Sequence, residues 1–368
     1  MFKLIQISSP GKLILCGEHA VVYGCKAIAS AIGLRTHLKA YLSETSKNFE
    51  FKLSDLNESI VIEQSMFDSL IEQHLINDKN DLDKVIESLQ AKNYGKPLES
   101  LLFMCLSFID SLKWEDLSGL TVEIKSEMPL ASGLGSSASY SVCLATLFLI
   151  LSKKIKVESE LSLNNDQLNS INNYAFHIEK IFHGRPSGID NSISTYGNYI
   201  LFEKGCISDR FSSSLDLPVL IVNSCVPKQT KEQVAKVRVL YDKHKPIIES
   251  LIGAIGCLVE EFLSILKSGN ESNYLDLNEL ITINHGILYS FHVSNTELNT
   301  IANLAQKFNL NGKITGSGGG GCSFILLKNS QNQACNSVDD LICLLEENKF
   351  VPFKTKLGCS GVRIDKLE

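Results

Sequence analysis

The sequence predicts an α+β fold in two domains. Three observations carry this expectation. The chain has 368 residues, which at roughly 150 residues per domain allows two sizeable cores. Its first third alternates apolar and polar residues with the period of half-buried strands. The later part is mainly helical in spacing, interrupted by a short apolar run near residue 220 and followed by strand patterns. The expected division is 1–222 and 223–368.

In order along the chain, Pro10-Gly11-Lys12 leads into an apolar strand-like segment bordered by the charged Glu18 and by His19. Leu34, Thr36, Leu38, Ala40 and Leu42 alternate with Arg35, His37, Lys39 and Tyr41, the pattern of a strand with one buried face. Phe49, Phe51 and Leu53 repeat it, as do Leu120, Val122 and Ile124, and between them residues 63–112 carry helical spacing. A helix is expected from Ser136 through the apolar run to Leu151, and another over 165–182. After a strand at Leu217 to Asn223, helices should fill Lys231 to Phe308. Strands return at Lys313 to Thr315, Ser323 to Leu327 and Val362 to Asp365.

Composition excludes several classes. Hydrophobic residues at 44% and charged residues at 21% fit a globular chain rather than a disordered or fibrous one. A net charge of −6 argues against a nucleic-acid partner, which needs a basic face. The longest apolar stretch, Val142 to Leu151, reaches about half of the ~20 residues that span a bilayer. No apolar core of a secretory signal follows the N-terminus, so a cytoplasmic protein without a membrane partner is expected. Eleven cysteines without a Cys-x-x-Cys pair fit reduced thiols better than disulfides or a zinc site. Cys143, Cys257 and Cys343 fall in apolar helical patterns and read as small core residues.

Three constellations could carry chemistry. The first is Pro129-Leu-Ala-Ser-Gly-Leu-Gly-Ser-Ser-Ala138, between a strand and a helix. Its glycines allow a tight turn with amides facing inward, and Ser136 and Ser137 fall at a helix start that favours phosphate. Ser137 could offer its hydroxyl to a magnesium ion. A capped helix behind a glycine turn explains the same residues. So does the dinucleotide fingerprint Gly133-x-Gly135-x-x-Ala138, with Lys153 to Glu160 as its second strand. The motif alone points to phosphate without saying which.

The second constellation runs from Glu179 through His183-Gly-Arg-Pro-Ser-Gly-Ile-Asp190-Asn191. It brings two carboxylates near the phosphate loop, one suited to a metal and one to the nucleophile, with Asp190 held on a rigid turn-rich loop. A helix cap and an Asx turn are the plain alternative. His177 and His183 are spaced wrongly for a helical metal pair and read as structural. The third is Lys313-Ile-Thr-Gly-Ser-Gly-Gly-Gly-Gly-Cys322, where four glycines in a row cost conformational entropy. Close approach of the backbone to a ligand or another loop would explain them; so would a flexible turn.

Taken together, these segments resemble the GHMP small-molecule kinases, and within them the mevalonate kinases. Pro10-Gly-Lys12 with Gly17 to Gly24 is similar to the family's N-terminal substrate motif. Pro129 to Ala138 is similar to its phosphate loop, and Gly312 to Cys322 to its glycine-rich third motif. His183 to Thr195 is the stretch most particular to mevalonate kinases, and Val226-Pro-Lys-Gln-Thr230 also fits.

The resemblance implies an N-terminal ribosomal-protein-S5-like domain, a C-terminal ferredoxin-like domain and a ligand cleft between them. It implies ATP-dependent phosphorylation of the primary hydroxyl of mevalonate, an early step toward isoprenoid diphosphates, with Mg²⁺ as cofactor. Lys12 would sit beside the reacting hydroxyl and the γ-phosphate, Ser137 and Glu179 would hold Mg²⁺, and Asp190 would be the catalytic base. Ser126 and the backbone of Ala131, Ser132, Gly133, Leu134, Gly135, Ser136 and Ser137 would contact ATP. Glu18, His19 and Thr230 would line or support the substrate site. Ser132, Ser317 and Lys228 depart from the family's common choices of Ala, Ala and, in animal relatives, Arg. A homodimer and inhibition by prenyl diphosphates are further family traits. A binding protein that keeps the fold without catalysis is the alternative from another class, although Lys12, Ser137, Glu179 and Asp190 are all present.

Overall fold

The computed structural model describes residues 2–43, 46–73, 81–129, 132–157, 160–228, 230–327 and 336–368. Two sheets divide them. Strands β1 (Leu4–Cys16), β2 (Ala27–Leu42), β3 (Phe49–Leu53), β4 (Glu58–Ile62), β5 (Leu120–Ser126), β6 (Tyr199–Glu203) and β7 (Cys206–Phe211) belong to the first. The second holds β8 (Pro218–Asn223), β9 (Gly312–Ile314), β10 (Cys322–Leu326) and β11 (Val351–Lys356), in the antiparallel order β11-β8-β10-β9. The last strand, β12 (Arg363–Leu367), returns to pair with β1 in the first sheet. The residues at 222/223 thus lie at the end of β8, inside the second sheet, and the C-terminus rejoins the first.

The helices are α1 (Gln64–Gln73), α2 (Leu82–Gln90), α3 (Lys96–Ser107), α4 (Trp114–Leu117), α5 (Ser136–Leu151), α6 (Asn165–His183), α7 (Ile189–Tyr196), α8 (Thr230–Lys243), α9 (Lys245–Ser268), α10 (Tyr274–Ser290), α11 (Thr296–Gln306) and α12 (Asn336–Glu347). The residues of α5 from Ala138 to Ile150 are buried. This explains a helix apolar on all sides: it is a core element, not an amphipathic one. In the same core lie Phe51, Phe103, Leu101 and Ile178. No helix among the described residues is long and apolar enough to cross a membrane.

A second apolar cluster joins the sheets. Leu13, Leu15 and Ile28 of β1 and β2 pack with Ile221, Phe262, Phe291 and Phe324 from the other side. Burial at roughly 25 cal/mol per Å² of apolar surface makes this seam a core rather than a hinge between loosely joined parts. β1 therefore has one sheet at its flanks and the other against its C-terminal half.

Three expectations need correction. Asp190 stands in the first turn of helix α7, after Gly188 at φ 83°, not on a loop. A helix holds its carboxylate as firmly as a turn would, and the preceding Pro186-Ser187-Gly188 supplies the cap. Cys143 is buried, but Cys257 and Cys343 lie on exposed faces of α9 and α12. Helical spacing had set their element but not which face meets the core. Among the described residues, 152–157 and 160–164 contain no strand, so the dinucleotide reading lacks its second strand.

Candidate active site

The site begins at an irregularity. The β1–β2 register shifts between Pro10 and Lys12, and such bulges re-aim the side chains they carry. The Lys12 amide donates to the Leu134 carbonyl at 2.7 Å, which fastens β1 to the glycine loop. The loop then turns through Gly135, at φ 79°, into α5. A Cβ at Gly135 would stand 2.9 Å from Lys12 Cγ, so glycine is needed both for the conformation and for the lysine's passage.

The Lys12 side chain is 9% exposed, and its Nζ lies 3.1 Å from Asp190 Oδ1. Ser136 and Ser137 form the first turn of α5, where the helix dipole and unpaired amides favour an anion. Ser137 Oγ lies 3.4 Å from Glu179 Oε2 and 3.0 Å from His183 Nε2. His183 thus lies beside the Ser137–Glu179 pair. Its partners come from α5 as well as its own helix, which spacing along α6 does not reveal.

Glu179 is buried and accepts a second hydroxyl bond, from Ser141 at 3.2 Å. Burial, and then the neighbouring Asp190 charge, push its carboxyl up to about 7; Ser137, Ser141 and Lys12 oppose that shift. A carboxyl raised in this way disfavours its own ionised form, so folded-state stability is lost as pH rises from about 4.5 through 7. The full effect is on the order of 3 kcal/mol. We expect Glu179→Gln, unfolded in urea without divalent cation, to gain stability relative to the wild type between pH 5 and pH 8. A difference unchanged between those pH values would contradict the assignment.

The second sheet closes the other side. The glycine run follows β9, and a Cβ at Gly320 would stand 2.5 Å from the Val226 carbonyl oxygen. Approach to another loop therefore accounts for this glycine. That neighbouring segment carries Lys228, whose Nζ lies 2.1 Å from where a Gly133 Cβ would be. Burial, together with Lys12, lowers the Lys228 ammonium to about 8, against the attraction of Asp190. Two lysines and two carboxylates thus converge on the N-terminus of α5. Lys228 was visible in sequence only as a departure within a motif, with no sign that it faced the phosphate loop.

The remaining expected residues lie around this centre. Ser132 donates to the Pro129 carbonyl at 2.7 Å and is buried. Ser126 and Ser137 line an apolar pocket with Leu53, Ile124, Tyr140 and Phe182. His19 Nε2 donates to the Ser317 carbonyl at 3.0 Å, and burial lowers its basicity. Thr230, opening α8, accepts from Ser317 Oγ at 3.2 Å. Glu18 is buried against Lys313. Ala131 lies outside the described residues.

The donor set at Ser137 and Glu179 is all oxygen, a hydroxyl and a carboxylate. Such a pair suits a hard divalent cation that completes its shell with phosphate oxygens and water. Arranged with Lys12 and a helix N-terminus, it can receive a polyphosphate and neutralise it.

The chain is similar to known kinases over nearly its whole length. The family described as GHMP kinases N terminal domain matches residues 100–198, and the one described as GHMP kinases C terminal matches residues 262–340. Mevalonate kinase of Arabidopsis thaliana is 32% identical over 386 residues, covering 98% of this chain and 99% of that protein. Mevalonate kinase of Mus musculus is 33% identical, covering 97% and 94%. The crystal structure of the Methanococcus jannaschii mevalonate kinase superimposes with a TM-score of 0.72 at 25% identity, covering 97% of this chain and 98% of that one.

Proposed function

The chain belongs to the mevalonate kinases of the GHMP kinase family, which phosphorylate mevalonate with ATP, and we propose that Lys12, Asp190, Ser137 and Glu179 carry the transfer in it. The observation that carries this reading is the Lys12–Asp190 pair set at the N-terminus of α5, beside the Ser137–Glu179 pair.

In phosphoryl transfer a protein mainly positions groups and neutralises charge on the transferring oxygens. The amides at the start of α5 and the glycine loop hold the phosphates of ATP. The apolar pocket beside Ser126 receives the nucleoside. Lys12 Nζ faces the γ-phosphate and the primary hydroxyl of mevalonate. Asp190 accepts that hydroxyl's proton as its oxygen attacks phosphorus and the bond to ADP breaks. Mg²⁺, when bound by Ser137 Oγ and Glu179, supplies positive charge at the phosphate oxygens. His19 and Thr230, both hydrogen-bonded to Ser317, shape the alcohol site. The apolar pocket next to a phosphate-binding helix end also suits prenyl diphosphates competing with ATP. A homodimer belongs to the same reading, supported by family membership.

ADP release from Mg·ATP with mevalonate, phosphomevalonate, homoserine and galactose tests this function. Turnover on mevalonate alone is expected. Turnover on another alcohol would overturn the substrate, and ATP binding without turnover would favour a binding protein.

A further inference from the structure

Glu18 and Lys313 meet in the interior, 295 positions apart in sequence. Lys313 Nζ donates to Glu18 Oε1 at 2.5 Å, and the two side chains are 0% and 1% exposed. The lysine also stands over the Phe324 ring, 5.3 Å from its centroid. Glu18 belongs to the turn after β1, and Lys313 to β9 of the other sheet. Burial raises the Glu18 carboxyl, opposed first by Lys313.

Two further contacts lie beside this one. Thr315 Oγ1 accepts from the Ile14 amide at 3.0 Å and donates to the Ile14 carbonyl at 3.1 Å. The Ser317 carbonyl accepts from His19 at 3.0 Å. Lys313, Thr315 and Ser317 are alternate residues along β9 and its extension, and each meets the β1 segment. Ile14 is two residues beyond Lys12 on β1. His19, at φ 61° and ψ −44°, holds a positive φ outside the left-handed helical region, which a non-glycine residue keeps only when its surroundings impose it.

Stability alone does not explain the ion pair. Buried pairs repay their desolvation poorly, and apolar residues of like size are often as stable. Here Glu18 Oε2, Asn284 Oδ1 and His285 Nδ1 are buried without a hydrogen-bond partner among the described residues. What a directional pair provides is fixed geometry, here between the strand of Lys12 and the loop that carries Ser317.

We propose that Lys313, Thr315 and Ser317 form a ladder registering the Lys12 strand against the glycine-rich loop, with Lys313 as its buried positioning residue, and that Glu18 acts on the reaction through Lys313 rather than by touching substrate. The proposal rests on the transfer reading above. Misplacing reacting groups by as little as ~1 Å can cost about 10²-fold in rate, so loss of register should be visible in turnover.

The test is a double-mutant cycle in kcat/KM for mevalonate with Glu18→Gln, Lys313→Met and the pair together, alongside urea unfolding of each. Each single variant should lose at least about tenfold in kcat/KM. The double variant should be no slower than either single, and should regain stability without regaining activity. Losses that multiply in the double variant would show Glu18 acting on substrate by itself. Recovery of activity together with stability would reduce the pair to a structural role. Either result overturns the proposal, as does a Lys313→Met protein with wild-type kcat/KM. Should the Lys313 variants fail to fold, Thr315→Val keeps the side-chain shape. A loss of about threefold or more in its kcat/KM supports the ladder, and a wild-type value overturns it. A wild-type protein that does not turn over mevalonate fails the transfer reading. An active wild type with unaffected variants fails only this one.

Discussion

Asp190→Asn lowers kcat by about 10²- to 10⁴-fold, the scale of a lost general base, while ATP binding is retained. The amide keeps the shape of the carboxylate in the first turn of α7 but cannot take the hydroxyl proton. It also removes the charge that faces Lys12 Nζ at 3.1 Å. The loss should therefore fall on the chemical step, and single-turnover rates should drop as much as steady-state kcat. A variant with near-normal single-turnover rates would remove Asp190 from proton transfer and leave it, at most, orienting the lysine.

Lys12→Met is expected to lower kcat/KM by about 10²- to 10³-fold, the scale of one lost donor to developing charge. Methionine fills the channel beside Gly135 with a similar chain, so the packing of β1 against the loop should survive. What goes is a buried cation at the point where charge builds on the transferring oxygens. Lys228 stands near enough to feel the charge of Lys12, but it approaches from the Gly133 side. We therefore expect it to rescue little of the loss. Steady-state kinetics across ATP and mevalonate concentrations would check this. Equal losses in kcat and kcat/KM mark a transition-state contact, and a change in KM alone would reassign Lys12 to binding.

The glycine turn and the helix behind it were legible in the sequence because their pattern is local. Glycines at 133 and 135, a small-residue helix start and an apolar helix behind them all lie within twenty residues, and α5 begins at Ser136 as expected. The strands with clear alternation, β2, β3 and β5, were legible for the same reason. Less was visible wherever meaning came from distant partners. Glu18 read as a charged neighbour of the substrate site, and its bond to Lys313 appears only when the two sheets are brought together. The four-glycine run announced a close approach but not that Val226 was its neighbour. Spacing along one helix cannot show that His183 lies beside Ser137 on another. The cysteines show the limit of periodicity: Cys257 and Cys343 share the helical pattern of Cys143, yet face outward.

The central claim is that Lys12 and Asp190, beside the Ser137–Glu179 pair, move the γ-phosphoryl group of ATP onto the primary hydroxyl of mevalonate. Phosphorus NMR of the product formed by the wild-type and Asp190→Asn proteins tests it most directly. The account predicts a phosphomonoester coupled to two methylene protons, with ADP in equal amount, formed by the wild type and at least about a hundredfold more slowly by the variant. A phosphomonoester on a different carbon, or equal rates of the right product from both proteins, would contradict it.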